Sequence, residues 1–153
     1  MPHPILLYDG VCGLCNRLVQ FILRRDRNAI FRFAPLQSAL AARVLAQHGA
    51  SPNALDTVYV VVNPDPMSQD PTMHDPAETR ANEYLLSRSD AVLFVLQRLG
   101  GRWRVAAILL QMVPRFLREA TYNAIARRRY RIFGRSETCI LPSPQDRSRF
   151  LDL

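Results

Sequence analysis

Cys12 and Cys15 stand three positions apart in the stretch Tyr8-Asp-Gly-Val-Cys-Gly-Leu-Cys-Asn16, and they are the residues best placed to do chemistry. A Cys-x-x-Cys pair that follows a first strand and opens a helix, in a chain of βαβ pattern, has the arrangement of a redox dithiol. Residues three apart on a helix share a face with about 5–6 Å between their Cβ atoms, whereas a disulfide needs about 3.5–4.5 Å. A non-helical start at Cys12 and Gly13 is therefore expected, and glycine supplies the backbone freedom for it. Cys12, at the helix N-terminus, meets unpaired amides and the positive end of the helix dipole, which favour a thiolate. It is the expected nucleophile, with Cys15, one turn further in, resolving the mixed disulfide. Asp9, three residues before Cys12, has two open roles: taking the Cys15 proton, or fixing the Asp9-Gly10 turn through backbone amides.

A zinc site is the chief competing use of the pair, but zinc wants four ligands, usually as two close pairs. The other candidates, Cys139, His3, His48 and His74, include no second close pair, so no metal is expected. Cys139 is either a third redox thiol or, as lone cysteines usually are, a small buried hydrophobe. Three cysteines do not make a secreted disulfide scaffold. No signal peptide is recognisable at the N-terminus. The best apolar run, 105–113, is interrupted by Gln111 and falls short of the roughly 18–20 residues of a membrane span. The expected location is the cytoplasm, where a close cysteine pair has a redox or metal role.

The elements that position the pair follow from periodicity. Ile5–Tyr8 reads as a buried strand closed by a turn, and 12–25 as a helix carrying Leu14, Leu18, Phe21 and Ile22. Residues 31–34 form a second strand stopped by Pro35, and 38–48 a helix with Leu40, Val44 and Leu45 on one face, ending at Gly49. The β-branched run 57–62 is the strongest strand in the chain. The proline- and aspartate-rich stretch 63–76 is expected as a surface loop, followed by a fourth strand at 83–87. Ser89-Asp90 reads as the N-cap of a helix stopped by Gly100-Gly101. Beyond it, Val105, Ile108, Leu109 and Met112 form one helical stripe, and Phe116, Leu117, Ala120 and Ala124 another after Pro114. The order βαβαββα, with helices on both faces of the sheet, is that of a thioredoxin-like α/β domain. Residues 1–153 are read as one domain, in which 102–153 form a mostly helical extension packed on it.

A composition of 48% hydrophobic and 22% charged residues is ordinary for a globular chain. The formal charge is +7, and its positive side is entirely arginine, since there is no lysine. The cluster Arg127, Arg128, Arg129, Arg131 and Arg135 suits an anionic membrane surface, an acidic partner or, more plainly, a solvated helix face. No nucleic-acid motif accompanies it, so no nucleic-acid partner is expected.

Several segments together resemble the DCC family of thiol–disulfide oxidoreductases: Tyr-Asp-Gly-Val-Cys-Gly-Leu-Cys-Asn at 8–16, Arg-Phe-Ala-Pro-Leu-Gln-Ser at 32–38, Arg-Ser-Asp-Ala-Val at 88–92 and Tyr-Arg-Ile-Phe-Gly at 130–134. Cys139 followed by Leu141-Pro142 adds to the likeness. The family takes its name from an Asp, a Cys and a Cys, here Asp9, Cys12 and Cys15. The resemblance implies a thioredoxin-like fold and dithiol chemistry. Better-known thioredoxin-like enzymes place a cis-proline before the third strand; here Thr57 stands in that place, and with Gly13 and Leu14 it is a candidate for substrate contact. Ser89-Asp-Ala-Val92 is also similar to the segment with which glutathione-binding relatives hold a carboxylate, which makes Ser89 and Asp90 candidate binding residues beside their simpler reading as a cap.

The sequence thus points to an enzyme that exchanges disulfides with a protein or low-molecular-weight thiol, with Cys12 as nucleophile and glutathione as a possible partner. Its competitor is a non-catalytic interaction module with a structural or zinc-bound cysteine pair and a basic docking surface.

Overall fold

The computed structural model describes residues 3–50, 57–62, 84–135 and 143–151. Four strands, β1 (Ile5–Tyr8), β2 (Arg32–Pro35), β3 (Tyr59–Val62) and β4 (Tyr84–Ser87), form one sheet in the order β2-β1-β3-β4. β1 runs parallel to β2 and antiparallel to β3, and β3 runs antiparallel to β4. The parallel pair is bridged by α1 (Gly13–Arg25), and α2 (Ala39–Gln47) leads from β2 towards β3. After β4 come α3 (Arg88–Leu99), α4 (Gly101–Met112), α5 (Arg115–Phe133) and a short 3-10 turn at Arg147–Arg149. This is a thioredoxin-like α/β fold with added C-terminal helices.

Side chains on a strand alternate between faces, and the sheet accordingly has two apolar layers. Leu6, Tyr8, Phe33, Val60 and Val62 pack with Val19 and Ile22 of α1 and Ala91 and Val95 of α3. Ile5, Leu7, Ala34, Tyr59 and Val61 meet Leu40, Val44 and Leu45 of α2. β1 is buried along its whole length because both its faces are covered. Ser38 caps α2 by accepting from the Ala41 amide at 3.1 Å. The C-terminal segment returns to β2. The Leu151 amide donates to the Phe33 carbonyl at 2.8 Å, Phe150 stacks on Phe33, and Arg149 pairs with the buried Asp26.

Three expectations shift. α1 begins at Gly13, with Cys12 as its extended N-cap residue. α3 begins at least two residues early, at Arg88, directly after Ser87: a left-handed φ of +55° at Arg88 turns the chain without a loop, so Ser89 and Asp90 lie inside the helix and are not its cap. The third concerns the two stripes of the helical extension. α4 packs mainly on α3, and α5 on α1 and α3, yet Val105, Ile108, Leu109 and Met112, with Phe116 and Leu117, point outward. The loop at 63–76, and with it His74, lies outside the described residues, as does Cys139.

Candidate active site

The Cys-x-x-Cys pair sits where β1 hands over to α1. Cys12 adopts φ −88° and ψ 119°, extended, and its carbonyl accepts from the Asn16 amide at 3.0 Å as the first helical bond. The turn before it is held by the Cys12 amide donating to the Asp9 carbonyl at 3.2 Å and by Asn16 Nδ2 donating to the Gly10 carbonyl at 3.2 Å. Cys12 and Cys15 are both free thiols, both buried, and lie close together at the start of α1. Burial first, then the charge and hydrogen bond of Cys12, push the Cys15 thiol up to about 12, against the pull of Arg129 and the Asp9 amide.

Asp9 is completely buried and fully used. Its Oδ1 accepts from the Val11 amide at 3.1 Å and from Gln37 Nε2 at 2.9 Å. Its Oδ2 accepts from Arg129 at 3.2 Å and from the Tyr130 hydroxyl. The turn-holding role therefore has its hydrogen bond, and a second role is added: Asp9 anchors Arg129, whose Nη1 donates to Cys15 Sγ at 3.5 Å. Burial, and the hydrogen bond given to Asp9, push the Tyr130 hydroxyl up to about 12, so it remains a donor at neutral pH. Arg129, expected in the basic cluster of α5, turns inward while Arg127, Arg128 and Arg131 stay exposed. Gln37 and Tyr130 also join the site without being among its sequence candidates, although both fall in the segments that carry the family resemblance.

The end of α5 closes over the pair. Cys12 pairs with Arg135 as an isolated antiparallel bridge, and the Gly13 amide donates to the Gly134 carbonyl at 3.3 Å. A Cβ on residue 13 would lie 2.3 Å from the Phe133 carbonyl oxygen. Gly13 is thus required by close backbone approach, whereas the sequence reading assigned it conformational freedom; it is an ordinary first residue of the helix. Leu14 lines a half-open cavity of about 480 Å³ between α1, α3, α4 and α5, whose other walls include Leu18, Val92, Ile125 and the two site residues Cys15 and Arg129.

Of the remaining candidates Ser89 lines this cavity from α3, while Thr57 and Asp90 do not. Thr57 is buried and no peptide bond among the described residues is cis. The neighbouring Val58 amide donates to the Tyr122 hydroxyl at 3.0 Å, and the Val58 carbonyl accepts from the Arg88 amide at 3.1 Å. Ser89 donates its hydroxyl to Glu119 of α5 and accepts from Arg118 at 3.3 Å, while Asp90 pairs with Arg118 and Arg115. The carboxylate at this helix start therefore comes from the chain itself. Ser89 and the Arg88 side chain lower the Glu119 carboxyl below its ordinary value. Among the described residues no group of three or more His, Cys, Asp or Glu gathers as a metal cluster would.

Fold and site together define a thioredoxin-like protein with a buried dithiol at a helix start, wired to an arginine–aspartate pair. Residues 6–135 match the family described as DCC1-like thiol-disulfide oxidoreductase, and the chain belongs to that family. It is 33% identical over 151 residues to the Bacillus subtilis (strain 168) protein YuxK, covering 99% of this chain and 96% of that one. It is 34% identical over 139 residues to the Arabidopsis thaliana DCC family protein At1g52590, chloroplastic, covering 91% of this chain and 70% of that one. No solved structure matches the chain. Among the described residues no helix is long and apolar enough to cross a membrane.

Proposed function

We propose that the protein exchanges dithiol and disulfide through Cys12 and Cys15, acting on a protein or low-molecular-weight thiol in the cytoplasm. One observation carries the reading: the two buried thiols lie close together at the first turn of α1, and Arg129, held by Asp9, donates to the inner one. In the reducing direction the Cys12 thiolate attacks one sulfur of a substrate disulfide, forming a mixed disulfide and releasing the other sulfur as a thiolate. Cys15, having lost its proton, then attacks the Cys12 sulfur. The Cys12–Cys15 bond forms, the mixed disulfide breaks, and the second substrate sulfur leaves with its electron pair. The substrate gains the two electrons that the protein dithiol loses.

The proton on Cys15 is the controlling quantity. Two of the three causes that raise its pKa, the charge of Cys12 and the hydrogen bond with it, exist only while Cys12 is reduced. Formation of the mixed disulfide removes both and leaves Arg129 to stabilise the Cys15 thiolate. The resolving thiol is therefore held back until there is something to resolve. Asp9 acts here as a positioning residue, since its carboxylate is filled by four donors and reaches Cys15 through Arg129. The dithiol is its own electron carrier. A glutathione carboxylate arriving by the Ser89 route has to displace Glu119 first.

Trapping tests the assignment. A Cys15→Ser protein expressed in cells should retain substrates as mixed disulfides on Cys12 that reductant releases, and Cys12→Ser should retain none. Equal trapping by both variants, or by neither, would reject Cys12 as the nucleophile.

A further inference from the structure

The outer side of the C-terminal helices combines two features that a water-facing surface does not need. The first is apolar exposure: Met112 is 79% exposed, Phe116 71%, Leu109 61% and Val105 56%, with Ile108 and Leu117 beside them. Residues 105, 108, 109 and 112 share one face of α4, and 116 and 117 follow across the Val113–Pro114 corner at the start of α5. Patches of this kind on a chain that stays dispersed in water mark contact surfaces. The second is charge. Residues 101–133 carry eight arginines, six of them exposed (all but the inward Arg118 and Arg129), against the single Glu119, and the remainder of the chain carries twelve arginines and twelve acidic residues. The whole +7 excess of the molecule therefore resides in α4 and α5.

We propose that this face docks on an anionic lipid surface, with the apolar side chains entering the headgroup boundary and the arginines meeting lipid phosphates. The placement of charge around the apolar centre supports that occupant. Arg102 and Arg104 lie one turn before Val105 and Ile108 on α4, and Arg127, Arg128 and Arg131 continue the exposed side of α5. An apolar stripe flanked by arginine is the composition of helices that lie in a membrane interface, and the attraction falls off within a Debye length of the surface. A second copy of the chain is disfavoured, because two faces of the same high positive charge would be pressed together. Nucleic acid is disfavoured as well, since a phosphate backbone offers nothing for Met112 and Phe116 to bury against. Neither helix spans; both lie flat. The proposal stands apart from the dithiol reading, because none of these residues touches Cys12 or Cys15.

Flotation of the full-length reduced protein with vesicles tests it. Vesicles containing phosphatidylglycerol should carry the protein and pure phosphatidylcholine vesicles should carry little. Leu109→Ser with Met112→Ser should weaken partition at least tenfold at constant salt. Arg127→Gln with Arg128→Gln and Arg131→Gln should weaken it and flatten its salt dependence. Both sets change exposed side chains, so circular dichroism and the alkylation rate of Cys12 should match those of the parent. Unchanged partition of the serine variant would overturn the proposal by reducing the effect to charge alone. A concentration-dependent dimer with no vesicle binding, or tighter binding to duplex DNA or polyglutamate than to the vesicles, would overturn it in favour of those partners.

Discussion

Replacing Gly13 by alanine should raise the reactivity of Cys12 while leaving the global stability nearly unchanged. The new Cβ would sit 2.3 Å from the Phe133 carbonyl oxygen and 3.3 Å from that of Gly134. Since both neighbours are backbone, the strand-like end of α5 has to move away by roughly an ångström to reach ordinary contact distance. That movement breaks the bond from the Gly13 amide to Gly134, 3.3 Å long, and the bridge between Cys12 and Arg135. Each backbone bond contributes about 0.5–1.5 kcal/mol net, so the covered state of Cys12 should lose about 1–2 kcal/mol, or roughly 5–30-fold in the population of the open form. In the opposite sense, alanine in place of glycine in a helix gains about 0.5–1 kcal/mol, which offsets the loss in a whole-chain unfolding measurement. Pulse alkylation of the reduced protein followed by peptide mass spectrometry reads the local effect, and urea unfolding reads the global one. Gly134→Ala provides an independent route to the same opening: a φ of +73° is unfavourable for alanine by about 1 kcal/mol, and no atom crowds its Cβ. Alkylation of Cys12 at the parental rate in both variants would show that the end of α5 is not what shields the thiol.

Two further outcomes concern the wiring of Cys15. With its pKa near 12 against an ordinary 9.0, Cys15 in the reduced protein should be about 1 part in 10⁴ thiolate at pH 8 and should resist alkylation there. Because the folded value lies above the unfolded one, the associated stability is complete below pH 9 and drains away as pH rises towards 12, which urea unfolding across that range measures. Cys12→Ala should bring the Cys15 titration down but not to its ordinary value, because burial, the first cause, persists; thiolate absorbance reports it. Arg129→Gln should destabilise the fold by about 3–5 kcal/mol, since it leaves Asp9 charged and buried. It should also raise the Cys15 titration further, and Arg129→Lys should restore stability more than it restores the titration, because one ammonium cannot reproduce the two-armed reach of the guanidinium. A Cys15 titration identical in parent and Arg129→Gln would mean that Arg129 serves only the structure.

The order of elements was legible because each rests on local pattern. The β1–α1 junction declares itself through an apolar tetrad, Asp-Gly and the Cys-x-x-Cys spacing. β3 declares itself through consecutive valines. The helical extension was harder because α5 carries two plausible stripes. Phe116, Leu117, Ala120 and Ala124 are apolar at helical spacing and face outward; the inner stripe is Tyr122, Ala126, Arg129 and Phe133. Periodicity locates a face, yet it cannot say which of two faces meets the core when the inner one contains an arginine. The spacing 122, 126, 129, 133 is the signal that separates Arg129 from its neighbours. Gln37 was beyond such reasoning: its bond to Asp9 spans 28 positions and depends on where β2 lies beside β1. The shift of Ser89 into α3 follows from the left-handed turn at Arg88, a conformation that arginine rarely adopts and that no pattern announces.

The arrangement makes α5 the element on which the site depends. Its inner side supplies Arg129 and Tyr130 to Asp9, and its end covers Cys12. Cys12 has no exposed surface, so the proposed exchange requires an opening, and lifting of the backbone at 133–135, which pairs with Cys12 and Gly13, would supply one. The bonds that resist lifting are of two kinds. At the tip there are weak backbone contacts to Cys12 and Gly13; one turn back there is a buried ion pair with four donors on one carboxylate. The tip can therefore open while Arg129 stays seated, which exposes Cys12 without disturbing the group that prepares Cys15. An opening that pulled Arg129 away would strand the Asp9 charge in the core, and under the proposed exchange the difference in cost between those two motions would keep access at Cys12 separate from proton control at Cys15.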